Sequence, residues 1–317
     1  MKSYLRASSM LFNTPLMVTL EVMDLAVRWA NHVMNLNIIN VGPLGSERMW
    51  HDEDDHISAR MQLEEQRRAS IAATGISVIP VHGVLVSRDA HVNACDTMTS
   101  YESLRTAVSA AMADPMVERI ALDIDSPGGA VTGAFEFAAD LHAMAQDKPI
   151  TGIVNFMAAS AGYLIGSACT ELVTSRTSIG GSIGVIASHL DRSAALERAG
   201  VKVTTVYAGA HKNDLTPNEP ISDQSLATLT EIVSSSYDMF CNAVAEYRGI
   251  SVAQVRATEA AVYRGPGLID AGLADRLESP QDAVNGLMNA VQQQRALRSQ
   301  SNRTSVRARA ALIQSRI

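Results

Sequence analysis

The chain has 317 residues, of which 47% are hydrophobic and 19% are charged, and its formal net charge is -7. This composition excludes a disordered chain and a small disulfide-stabilised protein, because it supplies enough apolar side chains for a sizeable core. The acidic balance argues against a nucleic-acid-binding protein. Three cysteines, Cys95, Cys169 and Cys241, lack metal-binding spacing, which favours an intracellular, reducing compartment and no structural zinc ion.

Residues 1–70 are predicted to form an N-terminal extension. Its apolar stretch from Met10 to Val27 contains acidic side chains, so it falls short of the 18 or more uncharged residues that a membrane-spanning helix needs. We therefore expect no membrane anchor. The polar run from His51 to His56 combines two histidines with four carboxylates, but contiguous side chains point in different directions, so we expect a solvated loop and no metal ion.

From Ile76 onward, short apolar runs alternate with helix-like segments, which is the pattern of strand-helix-strand units. The predicted strands span residues 76–86, with a turn inside this run, and then 117–124, 150–156 and 201–207. The predicted helices span residues 130–145, 159–170, 190–199 and 222–247. Short, buried strands separated by helices predict an α/β fold in which helices cover a mainly parallel sheet.

Two motifs of small residues follow predicted strands. Gly128 and Gly129 end the sequence Asp-Ser-Pro-Gly-Gly, and such a pair can bring bare N–H groups close to a ligand, as an oxyanion hole requires, or simply form a structural turn. Ser160 stands between alanines at a strand-to-helix junction. Its hydroxyl is uncrowded there and can act either as a nucleophile or as a helix N-cap.

A serine nucleophile needs a base, and none of the eight histidines lies in a motif that singles it out. Lys212 follows the predicted strand 201–207 in a stretch that begins with small residues. A lysine amine acts as a base only in its neutral form, which burial favours. The alternative is an exposed loop lysine.

Five features in this order resemble the signal peptide peptidase A family of Ser-Lys peptidases: Asp125–Gly129, Ala159–Tyr163, Thr177–Val185, Lys212 and Val262–Asp275. The resemblance implies a spiral of ββα units similar to the Clp protease and crotonase fold, with the site at the C-terminal ends of strands and no cofactor. It further implies the site roles, which are nucleophile for Ser160, base for Lys212, lysine-orienting hydroxyl for Ser182, and oxyanion-binding N–H groups for Gly129 and Ala161.

Within that family the sequence is most similar to the capsid assembly proteases of lambda-like phages, from Phe12 through Leu277. This similarity implies a phage head maturation endopeptidase that cleaves a scaffold protein and itself during procapsid assembly, inside the procapsid in the bacterial cytoplasm. The implied partners are further copies of the chain in a ring-like homo-oligomer, together with scaffold, portal and capsid proteins. Ala161 departs from the family glycine, but the substitution keeps the backbone N–H.

Residues 71–278 are therefore predicted to form the protease domain and residues 279–317 a flexible tail. After Asp282 the tail has six arginines and no acidic residue, so docking on an acidic partner or nucleic acid is the alternative to a solvated end. Three other functions stay open. They are a host-type peptidase that clears signal-peptide remnants, a crotonase-like acyl-CoA enzyme and a non-catalytic capsid component.

Overall fold

The computed structural model describes residues 15–19, 53–88 and 98–314. The strands in these ranges are β1 (Leu16–Val18), β2 (Ile76–His82), β3 (Val84–Val86), β4 (Met98–Ser100), β5 (Arg119–Ser126), β6 (Gly128–Ala130), β7 (Ile150–Ala159), β8 (Glu171–Thr174), β9 (Ile179–Gly181), β10 (Val262–Arg264) and β11 (Arg276–Leu277). The helices are α1 (Glu53–Thr74), α2 (Tyr101–Ala113), α3 (Ala134–Asp147), α4 (Ala161–Ser167), α5 (Ser193–Arg198), α6 (Asp223–Arg248), α7 (Val252–Arg256), α8 (Pro266–Asp270) and α9 (Pro280–Gln314).

The strands form two sheets. The larger sheet has the order β10-β9-β7-β5-β2, with β8 on β7 and β11 on β8, and only the β10–β9 pair is antiparallel. The smaller sheet has the order β1-β6-β3-β4, with β1 antiparallel to β6. β2 and β5 each lie in the larger sheet, continue into a strand of the smaller sheet, and are followed by a helix. The predicted α/β class, with a mainly parallel sheet and repeated ββα units, is confirmed.

Both faces of the larger sheet are covered, at least in part. On one face, Ile120, Leu122 and Ile124 of β5 are fully buried in the main core, which α2, α3, α4 and α6 complete. On the other face, Ala121 belongs to a second cluster to which α9 contributes Leu287 and its neighbours. Each fully buried leucine or isoleucine stabilises the fold by about 2 kcal/mol, so the two clusters fix the sheet from both sides.

The predicted strands 76–86, 117–124 and 150–156 are confirmed by β2 with β3, by β5 and by β7. The predicted helices 130–145, 159–170, 190–199 and 222–247 are also confirmed, with different ends, as α3, α4, α5 and α6. Ser222 caps α6 by accepting the N–H of Ser225, and Gly249 ends the helix in the left-handed conformation.

The prediction of a strand at residues 201–207 is wrong. This segment forms no strand within the described part of the chain, and its apolar side chains are exposed, with Val206 at 94% and Tyr207 at 52%. The alternating β-branched pattern favours a strand, but a strand also needs a neighbouring strand for its backbone.

Two further segments differ from their predictions. The run from His51 to His56, expected in a loop, begins outside the described residues and enters α1 at Glu53. The tail, expected to be flexible, forms α9, because apolar Leu287 and Val291 lie four residues apart and pack on the sheet. Arg295 then pairs with Glu118. The domain boundaries themselves stay a prediction.

The predicted absence of a membrane anchor concerns the stretch from Met10 to Val27, of which only residues 15–19 are described. Among the helices that the structure describes, none has both the length and the apolar character to cross a membrane.

Arg248, Asp275 and Tyr163 hold the end of α6 against the helix that follows β7. Arg248 donates two hydrogen bonds of 2.8 Å to the carboxylate of Asp275, which also accepts the N–H of Leu172 at 2.7 Å. The hydroxyl of Tyr163 in α4 donates to the carbonyl of Leu273. Burial of Asp275 disfavours its charged carboxylate and by itself would raise its pKa. The hydrogen bonds from Arg248 and Leu172 outweigh this effect and hold the pKa of Asp275 below its ordinary value.

We predict that Asp275→Asn lowers the free energy of unfolding by about 2 kcal/mol at pH 7, because charged hydrogen bonds to the buried Arg248 are lost. The pKa of Asp275 is lower in the folded protein than in the unfolded chain, so its carboxylate contributes its full stabilisation above the unfolded-state pKa of about 3.9. This contribution is lost as the pH falls through the folded-state pKa. Urea unfolding should therefore show a smaller difference between the two proteins at pH 3. Asp238→Asn, which breaks an exposed pair with Arg256, should change little. An equal loss at both pH values would contradict this account.

Candidate active site

The backbone turns sharply at Ser160, between the end of β7 and the start of α4. Ser160 has φ 55° and ψ -119°, a conformation that costs a non-glycine residue about 1–3 kcal/mol. Its N–H donates to the carbonyl of Gly181 in β9 at 2.8 Å, and its carbonyl accepts the N–H of Leu164 in α4 at 2.9 Å. The strained turn is thus held from both sides, and such strain is characteristic of functional sites.

The hydroxyl of Ser160 is not used as a helix cap. Although Ser160 precedes α4, its side chain makes no capping hydrogen bond within that described helix, so the N-cap interpretation is not supported. Oγ is 3.4 Å from the carbonyl oxygen of Gly184, a long contact, and the residue is fully buried in the isolated chain. The Ser160 hydroxyl therefore makes only a weak hydrogen bond to Gly184, and little would have to break for it to react.

Gly128 and Gly129 of β6 lie beside Ser160. Gly128 has φ 105°, and a side chain there would overlap the carbonyl oxygen of Met17 and come within 2.9 Å of Cβ of Ser160. A side chain on Gly129 would overlap the backbone of Leu85. Two glycines are therefore required, because any side chain would push β6 away from its neighbours and from Ser160.

The structure brings four of the five predicted site residues to one place. Gly129 lies in β6 beside the nucleophile turn, and Ala161 is the first residue of α4, where the N–H has no partner within the helix. Ser182 follows Gly181, the register partner of Ala159, so it lies alongside Ser160. The oxyanion-binding role of Gly129 and Ala161 and the lysine-orienting role of Ser182 stay predictions.

Lys212 is not joined to this group by a described hydrogen bond. It is exposed in a turn that follows the segment 201–207, and its N–H donates to the carbonyl of Gly209. Among the side-chain hydrogen bonds between described residues, none joins Lys212 to Ser160 or Ser182. The isolated chain therefore does not bury Lys212, as a neutral lysine base requires.

Ser126 supports the glycine pair, a role that the sequence analysis did not identify. Its fully buried Oγ accepts the N–H of Gly128 at 3.1 Å and donates to the carbonyl of Gly83 at 2.7 Å. The register between β5 and β7 also shifts between Ile124 and Ser126. A small polar residue immediately before Pro-Gly-Gly, at a strand end, is the signal that could have identified this position.

A polar cluster lies at the same ends of β2 and β5. The Nε2 atom of His82 is 3.0 Å from Oδ2 of Asp123, and His82 is the register partner of Asp125. Burial raises the pKa of Asp125, while the charge of His82 opposes this shift. His82 therefore belongs to a polar cluster with Asp123 and Asp125 in the larger sheet.

Comparison with known proteins shows which proteins the chain resembles. Residues 142–294 match peptidase family S49, and this range includes Ser160, Ser182 and Lys212. The chain is 41% identical over 227 residues to capsid assembly protease C of Escherichia phage lambda, which covers 71% of this chain and 52% of that protein. It is 40% identical over 217 residues to head-tail preconnector protein GP5 of Enterobacteria phage P21, covering 68% and 43%.

The chain is also 30% identical over 190 residues to a putative signal peptide peptidase SppA of Enterococcus faecium, covering 59% of this chain and 55% of that protein. The predicted resemblance to these peptidases and to the lambda-like capsid proteases is confirmed. The chain spans about half the length of these relatives. Among solved structures, a ClpP1 mutant from Listeria monocytogenes aligns with a TM-score of 0.43 and 12% identity, covering 69% of this chain and 99% of that chain.

We predict that Ser126→Ala lowers kcat for peptide hydrolysis by about tenfold or more and leaves KM nearly unchanged. The N–H of Gly128 loses its acceptor, so β6, which carries the predicted oxyanion donor Gly129, loses its position. Affinity for a peptide aldehyde, which mimics the tetrahedral state, should fall in parallel. Ser167→Ala is the matched control, since Ser167 is equally buried but hydrogen-bonds only within α4. A rise in KM with unchanged kcat would show that Ser126 acts on binding instead.

Proposed function

We propose that this protein is a serine endopeptidase that uses Ser160 as its nucleophile and Lys212 as its base. The observation that carries the proposal is the strained turn that presents Ser160 beside the Gly128–Gly129 strand. An N-cap serine would need neither a left-handed backbone nor a glycine strand against its Cβ. Membership of residues 142–294 in a peptidase family supports the same chemistry.

In the proposed mechanism, neutral Lys212 takes the proton of Ser160 as Oγ attacks the carbonyl carbon of the scissile peptide bond. The N–H groups of Gly129 and Ala161 stabilise the negative charge on the tetrahedral oxygen. The C–N bond then breaks, and Lys212 returns the proton to the leaving amine. A water molecule, deprotonated by Lys212, hydrolyses the acyl-enzyme and regenerates Ser160. Ser182 orients the lysine amine by a hydrogen bond.

Assembly supplies the burial that Lys212 needs in this proposal. The segment 201–207 that leads to Lys212 exposes several apolar side chains in the isolated chain, including Val206 and Tyr207. Its alternating pattern is suited to packing or strand pairing with a second copy, and exposed apolar surface of this kind marks interaction sites. A ring-like homo-oligomer would cover this segment and desolvate Lys212. The enzyme would then be active only where the chain is concentrated.

The names of the phage relatives point to the site of action. One relative is a capsid assembly protease and another is a head-tail preconnector protein. We propose that the enzyme acts inside the procapsid, in the cytoplasm of the bacterial host. Its proposed substrates are the scaffold protein and the chain itself, with the ends of portal or capsid proteins as further candidates.

We predict that Ser160→Ala and Lys212→Ala each abolish cleavage of the scaffold protein of the same phage, because each removes one half of the proton-transfer pair. The measurement is intact-mass spectrometry after co-expression in a bacterial host. Ser167→Ala, at a buried serine outside the site and the segment 201–207, is the matched control and should cleave like the wild type. Identical fragments with the wild type and both site variants would contradict the proposal and favour a non-catalytic capsid component.

We further predict that Val206→Asp lowers the rate per chain by at least about tenfold, because a buried charge would oppose assembly. Light scattering after size exclusion should show a smaller oligomer, and the activity of the wild type should rise with protein concentration. Val78→Asp, on an exposed apolar residue of β2, should change neither quantity. A fully active monomer would rule out control by assembly.

A further inference from the structure

The chain places one of its own strands against the proposed oxyanion strand. β1 pairs antiparallel with β6, in the register Leu16 with Ala130, Met17 with Gly129 and Val18 with Gly128. Thr19 extends this contact by donating its N–H to the carbonyl of Pro127 at 3.3 Å. The segment Pro15–Thr19 therefore covers the whole length of β6, from its last residue to its first.

The other edge of β1 is also paired. Leu16 donates its N–H to the carbonyl of Ile186 at 2.8 Å and accepts the N–H of Ile186 at 2.9 Å. Ile186 follows the Ser182–Gly184 turn, which lies beside the nucleophile. β1 is thus inserted between two segments that flank Ser160, in the manner of a peptide that binds by adding a strand to a sheet.

The direction of the backbone turns the carbonyl group of Met17 toward β6. Because Leu16 directs both its N–H and its carbonyl toward Ile186, strand alternation directs those of Met17 toward Gly129. The carbonyl oxygen of Met17 fills the space that a side chain on Gly128 would need, next to Cβ of Ser160. The Met17 carbonyl therefore lies against Gly128, which Cβ of Ser160 also approaches.

The side chains of β1 show what the cleft accommodates. Leu16 is 5% exposed and Met17 is fully buried, and Met17 belongs to the main core. Both side chains are large and apolar, and the cleft encloses them. An extended peptide with two large apolar residues in succession fits the same space.

We propose that Pro15–Thr19 is an internal occupant of the substrate cleft, bound as a substrate-like strand that an incoming peptide must displace. The cleft then selects extended segments with large apolar residues at the positions of Leu16 and Met17. The inference rests on the proposed function for calling this cleft a substrate site. The displacement itself is a binding event and can be measured without catalysis.

The first experiment measures binding of a fluorescent peptide with the sequence of residues 13–20 to the full chain that carries Ser160→Ala. Adding Leu16→Asp and Met17→Asp should release β1, so fluorescence anisotropy should show at least tenfold tighter binding. Val78→Asp in the same background is the control and should leave the affinity unchanged. Equal affinity in all three proteins would overturn the inference, whatever the hydrolytic activity of the wild type. A gain in affinity together with an inactive wild type would contradict the proposed function alone.

A second variant keeps the test decisive if the aspartates prevent folding. Leu16 and Ile186 exchange both backbone hydrogen bonds, and such pairs have Cα atoms about 5.5 Å apart, within the reach of a disulfide. In Leu16→Cys with Ile186→Cys, and with Ser160→Ala, oxidation should abolish peptide binding and reduction should restore it. Unchanged peptide binding by the oxidised protein would show that β1 does not occupy the cleft.

Discussion

The left-handed backbone of Ser160 is the constraint around which the rest of the site is arranged. Such a turn persists only when its surroundings hold it, and here β9 and α4 both do so through backbone hydrogen bonds. A side chain on the neighbouring strand would come too close to this turn, which explains why residue 128 is a glycine. It also requires α4 to keep its place, and Tyr163 anchors that helix to the loop held by Arg248 and Asp275.

The features that a single chain can complete by itself were predictable from the sequence. Apolar runs predicted β2, β5 and β7 correctly, because the neighbours of these strands lie in the same sheet. The motif around Ser160 likewise predicted the strand-to-helix turn at this residue. Residues 201–207 have a strand pattern but no neighbouring strand among the described residues. The packing of α9 on the sheet uses a few apolar residues of its first half, such as Leu287 and Val291. The many polar residues of this segment pointed instead to a flexible tail. The pairing of β1 with β6 joins residues more than 100 positions apart, which local patterns cannot reveal.

Two features keep the isolated chain from presenting a complete, open site. Lys212 is exposed, and β1 pairs with β6, the strand beside Ser160. In our proposal, assembly of several copies buries Lys212, and an incoming substrate displaces β1. A peptidase with these two requirements would spare other proteins of the host until it is concentrated together with its substrates.

The central claim is that Ser160 is the nucleophile, and covalent labelling tests it most directly. The assembled wild-type protein would be treated with a peptidyl fluorophosphonate, which phosphonylates an activated serine with loss of fluoride, and the modified residue would be located by peptide mapping. The account predicts a single phosphonyl group on Ser160. A phosphonyl group on another serine, with Ser160 unmodified, would contradict it.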